Sequence, residues 1–190
     1  KVEHDNVVRE CDEAPDVRGV GEEDCDEAEI PTRRRLGDSE DNFLSVQSNL
    51  ANTYAALKQT DKAMRIERDV YSGHLRLHGA EDEDTLIAAS NYALSLYSLQ
   101  RFEEAKSLLR KTTRVARRVL GESHEVTLKL RWSYAETLYE DPDATLDDLR
   151  EAVTTSEDSD RIARRVLGGA HPMTKAIDYQ LRDARAALRA

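Results

Sequence analysis

The side chains best suited to chemistry in this 190-residue chain are its five histidines and two cysteines. His74 and His78 stand four residues apart, so on a helix they would share one face and form half of a metal site. Glu81 and Asp82 follow closely and would add oxygen ligands. Two histidines near the end of a helix are nevertheless more often solvated than metal-bound. We therefore predict no metal ion here.

A second group of metal-ligating residues stands near the start of the chain. His4, Cys11 and Cys25 offer three ligands, but their spacing matches no usual zinc pattern and a fourth ligand is not evident. A small secreted protein held together by disulfides would use more than two cysteines. We therefore expect reduced, unliganded thiols and a cytoplasmic location.

Sequence signatures of catalysis are missing from the chain. There is no Gly-rich phosphate loop, no Gly-x-Ser-x-Gly turn and no His-Glu-x-x-His pair. His124 and His171 each follow a glycine by three residues, near the expected start of a helix. Because the same position recurs, a capping or turn role is favoured over catalysis. The sequence thus predicts neither an enzyme nor a cofactor.

An internal repeat accounts for these recurring positions. Four short blocks end in glycine, and the glycines are 42, 42 and 47 residues apart. Thr85, Thr127 and Thr174 each stand six residues after one of the last three glycines. A fixed period of this size is typical of repeat architectures. The blocks are Arg35-Leu36-Gly37, Leu77-His78-Gly79, Val119-Leu120-Gly121 and Val166-Leu167-Gly168.

Each period contains two stretches of apolar residues at helical spacing, whereas period-two alternation is scarce. Glycine after each second stretch suits a left-handed C-terminal cap, and Pro172 suits the first turn of a helix. The sequence therefore predicts an all-α protein. We expect helices over residues 41–57, 61–77, 84–99, 102–120, 124–139, 144–167 and 172–188.

The charge of the chain is concentrated at its start. Residues 1–29 hold twelve of the 38 acidic side chains but only three of the 28 basic ones, so the remainder is nearly neutral. This distribution argues against nucleic acid as a partner, and no apolar run is long enough to span a membrane. Residues 1–26 are expected to be disordered, and Pro31 to interrupt any helix before Gly37. We predict an acidic leader over 1–36 and a repeat domain over 37–190.

The repeats resemble tetratricopeptide repeats, in particular the 42-residue variety of kinesin light chains. The resemblance implies a right-handed superhelical array of antiparallel helix pairs, with about three repeats and a C-terminal capping helix. Its small residues let helices approach closely, and a larger side chain there would cost about 1–3 kcal/mol. The motif residues are Leu50-Ala51, Tyr54 and Ala63 in the first copy, Tyr92-Ala93, Leu96 and Ala105 in the second, and Tyr134-Ala135, Leu138 and Ala152 in the third.

The third copy is longer than the others. Leu138 and Ala152 are 14 residues apart, whereas the corresponding residues of the first two copies are nine apart. The five extra residues fall in an acidic stretch around Pro142, where we expect a longer loop or a lengthened helix. Insertions in such arrays usually map to loops, and tolerated variation is favoured over a functional contact.

The resemblance also implies that the first helix of each pair lines a concave groove. Asn49 and Asn91 are one period apart and so recur on one face, where their amides could hold a peptide backbone. Alternatively, these amides bond between neighbouring helices, Trp132 packs against the last helix, and Lys129 is only solvated. The candidate peptide-binding residues are Ser48, Asn49, Asn52, Ser90, Asn91, Lys129 and Trp132.

These observations predict a protein-interaction scaffold that binds a peptide segment of a partner protein in its concave groove. The alternative is a structural subunit, clamped within a larger assembly whose neighbour fills the groove. We expect a monomer or weak dimer unless the chain is part of such an assembly.

Overall fold

The computed structural model describes residues 26–189, with side chains from residue 39 onward. The chain divides into two units, Lys1–Asp38 and Ser39–Ala190. The described residues form helices and no strand, as predicted. The predicted disorder over residues 1–26 falls almost entirely outside the described residues. The helices are α1 (Asp26–Ala56), α2 (Thr60–His78), α3 (Glu83–Ser98), α4 (Phe102–Val119), α5 (Glu125–Tyr139), α6 (Leu146–Val166) and α7 (Pro172–Ala187).

Helix α1 differs from the prediction because it begins at Asp26 and not near residue 41. The prediction that Pro31 would interrupt a helix here was wrong. A proline removes one N–H and clashes with the preceding turn, but Pro31 is only the sixth residue of α1. The missing backbone hydrogen bond therefore lies close to the start of the helix, and the rest of the helical hydrogen bonds follow it along α1. Gly37 also lies inside α1, so the first of the four glycines is not a cap.

The other three glycines stand at the ends of their helices with positive φ, as predicted, but Gly79 does not have the ψ of the predicted left-handed cap. Gly79, Gly121 and Gly168 have φ angles of +85°, +88° and +84°. At Gly79 the accompanying ψ of 178° lies in a region essentially limited to glycine. These residues explain why glycine recurs with the repeat: each stops a second helix and turns the chain toward the next first helix.

Side-chain caps stand at the starts of α3, α5, α6 and α7, whereas α2 and α4 begin without one. Asp82 accepts a hydrogen bond from the backbone N–H of Thr85 at the start of α3, and Pro172 occupies the first turn of α7. His124 and His171 accept from the N–H groups of Val126 and Met173, at 3.3 and 3.2 Å. The predicted capping role of the two repeated histidines is therefore confirmed.

Successive helices pack against each other along the array. The close contacts that the motif alanines permit are formed, since all six are completely buried. The largest apolar cluster joins the five helices α3 to α7 through residues such as Leu86, Leu138 and Ala184. A second cluster holds α5, α6 and α7 together around Leu128 and Ile177. None of the helices in the described part of the chain is long and apolar enough to cross a membrane.

The first repeat is less buried than the motif predicts. Leu50 and Leu57, expected in the apolar stripe, are 45% and 62% exposed. Phe43 and Val46 are also exposed and lie on the same side of α1, at helical spacing from Leu50. In α3 and α5 the corresponding side packs against the preceding helix pair. Among the described residues no helix pair packs on this side of α1, and this missing neighbour, not residue type, explains the exposure.

The insertion lengthens both a loop and a helix. Six residues separate α5 from α6, against three between α3 and α4, and α6 starts six residues before Ala152, whereas α4 starts three before Ala105. Thr145 and Asp148 form a reciprocal capping box at the start of α6. Asp141, in the loop, is only 8% exposed and pairs with Lys106 of α4 at 2.8 Å. The extra residues are thus anchored to the second repeat.

Candidate functional site

One side of the array is built from the odd-numbered helices. Helix α3 contacts α5, and α5 contacts α7, while among the described residues no comparable contact joins α2 with α4 or α4 with α6. The fully buried Ala93 and Ala135 lie in α3 and α5 and permit this close approach. Helices α3, α5 and α7 therefore form the tighter, inner side, and α1 shares a recess with α3 on that side. We call the surface lined by α1, α3, α5 and α7 the inner surface.

A polar recess of about 320 Å³ opens on this surface between α1, α2 and α3. Three of the predicted residues line it: Ser48 and Asn49 from α1, and Asn91 from α3. Its other polar walls carry carboxylates, Asp41 and Asp84. The recess therefore offers amide and hydroxyl groups beside negative charge, a combination that suits a peptide backbone followed by a basic side chain.

The two amides in the polar recess are free to bind. Among residues 39–189, neither the Asn49 nor the Asn91 side chain hydrogen-bonds to a neighbouring helix. The Asn49 backbone carbonyl accepts a hydrogen bond from the Thr53 hydroxyl, one turn along the same helix. Asn91 is half-buried and Asn49 is exposed. The alternative in which these amides tie helices together has no support in the described contacts.

An apolar recess of about 410 Å³ lies further along the inner surface, between α5 and α7. Lys129 and Trp132 line it from α5, and Pro172 and Met173 from α7. Trp132 also packs on the cluster around Ile177, and its backbone carbonyl accepts a hydrogen bond from Gln180 Nε2 at 2.7 Å. Both sequence hypotheses for Trp132 thus describe real contacts: it packs against the last helix and presents part of its ring to the recess.

Two of the predicted residues lie elsewhere. Asn52 is exposed on α1 but lines neither recess. Ser90 is only 2% exposed, so it cannot reach a ligand on the surface, and its inclusion among the binding residues was wrong. The reason is geometric. Ser90 faces the interior of the helix pair, while Asn91, one residue later, points about 100° further round the helix.

Sequence reasoning missed several residues that line the recesses. Asp84 and Met173 stand directly before Thr85 and Thr174, which recur six residues after a glycine. They occupy one repeat position, and each lines a recess. The repeat alignment therefore contained the signal that could have found them. Asp41 and His74, which also line the polar recess, had no such signal.

A larger cavity of about 670 Å³ lies on the opposite side, between α4 and the start of α6. Its lining is mixed in charge, and one of its cations, Arg110, already has partners. Arg110 donates to the Tyr134 hydroxyl at 2.8 Å and pairs with Glu151 at 3.5 Å. Lys106 and Arg110 of this lining thus have carboxylate partners within the chain, whereas among the described residues the Asn49 and Asn91 amides of the polar recess bond to no neighbouring helix. The inner surface is therefore the better candidate site.

One carboxyl group on α5 is strongly perturbed. Burial raises the pKa of Glu136 to about 7, and the nearby charge of Glu140 adds to the shift. Tyr97 of α3 and Tyr139 lie close enough to feel the same carboxylate, which together with their own burial raises the pKa of both phenols. The perturbed carboxyl group therefore makes the stability of the protein depend on pH.

The comparisons with known proteins agree with this architecture. The sequence profile of the tetratricopeptide repeat family matches residues 43–84 and 85–125. No curated protein sequence matches significantly. Among solved structures, the nearly identical TPR-like repeats of a candidate kinesin light chain from Podosopora anserina superpose with a TM-score of 0.69 at 22% identity, over 76% of this chain and 66% of that one. A variant form of the same protein gives the same values.

A further solved structure, BtubC (BKLC) from P. vanneervenii, superposes with a TM-score of 0.61 at 17% identity, over 79% of this chain and 62% of that one. This chain thus spans just under two thirds of the length of the solved chains it resembles. Repeat proteins of this kind are in general protein-interaction modules without catalytic activity. Residues 43–125 thus match the tetratricopeptide repeat family, and the described helices have the fold of the TPR-like repeats in these solved structures.

Proposed function

We propose that this protein is a scaffold that binds an extended peptide segment of a partner protein along its inner surface. The observation that carries the proposal is the pair of recesses on that surface. One is polar, with the unbonded amides of Asn49 and Asn91, and the other is apolar, at Trp132 and Met173. A pocket that combines apolar walls with a few convergent polar groups is the default site for a ligand.

The chemistry of the recesses defines the peptide. Asp41 and Asp84 favour a lysine or arginine in the polar recess, where the amides hold the adjoining backbone. Trp132 and Met173 favour a large apolar side chain in the other recess, since aromatic pockets are common binding hot spots. Neighbouring helix axes lie about 8–10 Å apart, and the recesses are two spacings apart. At about 3.3 Å per residue, roughly six residues separate the basic from the apolar anchor.

The proposal can be tested with peptides selected from a random display library on the whole chain. Affinities of the selected peptides are then measured by fluorescence polarisation for Ser48→Arg and Ser107→Arg. Ser48 lines the polar recess, whereas Ser107 is exposed on α4. The new arginine fills the polar recess only in Ser48→Arg. We therefore expect this variant to bind the peptides about tenfold more weakly, and Ser107→Arg to bind them with unchanged affinity.

If both variants bind the peptides as tightly as the parent chain does, the binding surface does not lie at the polar recess of the inner surface. The alternative function, a structural subunit, predicts another result. In that case no short peptide is selected, and the chain elutes from its source only in a large complex whose size is unchanged by Ser48→Arg. Trp132→Ala, checked for folding by circular dichroism, tests the apolar recess separately.

A further inference from the structure

Three potential metal ligands meet where α1 lies against α2. Asp41 belongs to α1, and His74 and His78 stand one turn apart near the end of α2. One ligand atom of each residue lies within 4.8 Å of the other two. His78 Nε2 and Asp41 Oδ1 are already in contact, at 2.6 Å. The His74–His78 pair thus gains a third ligand that stands 33 residues earlier in the sequence.

His74 gives an independent indication that the cluster takes a ligand. Its side chain is only 9% exposed, and in the part of the chain that the structure describes its Nδ1 atom has no hydrogen-bond partner. A buried polar atom without a partner is costly and calls for an explanation, such as an ion. A simple ion pair would need only His78 and Asp41, and would leave this atom of His74 unexplained.

The ligand set selects the kind of ion. We propose that Asp41, His74 and His78 bind a divalent transition-metal ion, zinc in the first place. Two imidazoles and a carboxylate suit zinc, which takes nitrogen and oxygen ligands at about 2.0–2.2 Å, whereas magnesium and calcium require six or more oxygens. Small rotamer changes bring the three atoms to such an ion, which replaces the proton between His78 and Asp41.

The surroundings of the cluster favour a cation. Asp82 and Asp84 lie close enough to His78 for their charges to act on it. Three protein ligands leave one position of a tetrahedral ion open, to be filled by water or by a nearby carboxylate. The ion joins α1 to α2 through side chains only, beside the polar recess that Asp41 and His74 also line. The metal site rests on its own observations, but it shares Asp41 with the polar recess. In the metal-loaded chain Asp84 is therefore the carboxylate of the recess left for the basic side chain of the peptide.

The test uses cobalt(II) as a spectroscopic probe, titrated into the whole 1–190 chain and displaced by zinc. We expect one ion per chain and a visible spectrum of nitrogen and oxygen ligands. His74→Gln and Asp41→Asn should each weaken binding by about tenfold or more. The matched control is His124→Asn. His124 also lies beside a carboxylate, with Nε2 3.8 Å from Glu83, and asparagine preserves its capping role.

Two results would overturn the proposal. Unchanged cobalt binding in both His74→Gln and Asp41→Asn would show that the cluster is an ordinary ion pair. A thiolate-type spectrum, lost in a Cys11→Ser/Cys25→Ser variant, would place the metal on the cysteines instead. Should His74→Gln unfold, Asp41→Asn decides alone, since Asp41 lies near the surface of α1 and its loss spares the core.

Discussion

At the scale of single residues, burial controls the charge of Glu136. Its pKa of about 7 is set first by desolvation of the carboxylate and then by Glu140. A folded-state pKa raised above the unfolded value means that the native protein binds the proton more tightly. The resulting contribution to stability is therefore complete below the unfolded pKa, about 4.5, and is lost as the pH rises through about 7.

Glu136→Gln should consequently be more stable than the parent at pH 8, and this advantage should shrink as the pH falls toward 5. Glutamine keeps the shape but has no charge to desolvate. Thermal unfolding followed by circular dichroism across this range measures the difference. Glu67, buried beside Ser95, also has a raised pKa, so the comparison between variant and parent is needed to isolate Glu136. An advantage that stays constant with pH would contradict the assignment; Glu125→Gln, at an exposed glutamate on the same helix, is the control.

At the scale of elements, the insertion between α5 and α6 is held by one buried ion pair. Lys106 is 7% exposed and Asp141 is 8% exposed, and the two groups are 2.8 Å apart. Burial opposes ionisation of Asp141, but the hydrogen bond from Lys106 and that from the backbone of Asp143 outweigh it and lower the pKa of Asp141. Glu103 also contacts Lys106 but is largely exposed. The loop therefore supplies the buried partner of the Lys106 ammonium, which would otherwise have only the exposed carboxylate of Glu103.

We predict that Asp141→Ala lowers the free energy of unfolding by about 2–4 kcal/mol, because it leaves the buried ammonium of Lys106 without its main partner. Urea denaturation provides the measurement. Asp143→Ala, on the exposed part of the same loop, should change stability by less than about 0.5 kcal/mol. The double variant Lys106→Met/Asp141→Ala should recover most of the loss. If it does not, the loop stabilises the fold by other contacts.

The elements also show what the sequence could and could not predict. Helices α2 to α7 begin and end within about two residues of their predicted bounds, because glycine caps and apolar spacing are local signals. The beginning of α1 was missed, since charged helix-forming residues carry the helix past Pro31. The partners Lys106 of Asp141 and Asp41 of His78 were also missed. Each of these pairs joins residues more than 30 positions apart in the sequence. Such pairs form only because of the way the helices pack, so no local sequence signal predicts them.

At the scale of the whole molecule, the helices are coupled mainly to their neighbours. Helix α7 contacts α6 and α5, and no described contact joins it to α2 or α3 beyond isolated pairs. In such an array stability is approximately a sum of terms for each repeat and each interface. Damage to one end should therefore fade with distance along the chain, and a globular core shared by all helices would not behave in this way.

Ile177→Ala tests this coupling. Ile177 is completely buried among Leu128 and Ala163, so the cavity should cost about 2–4 kcal/mol, whereas Tyr179→Ala, at a side chain 68% exposed on the same helix, should cost little. Native-state hydrogen exchange, read by mass spectrometry, should show the largest loss of protection in α7, α6 and α5. Protection in α2 and α3 should change least. A uniform loss from α2 to α7 would instead mean that the repeats unfold as one unit, so that a ligand bound at either recess would stabilise both ends of the inner surface equally.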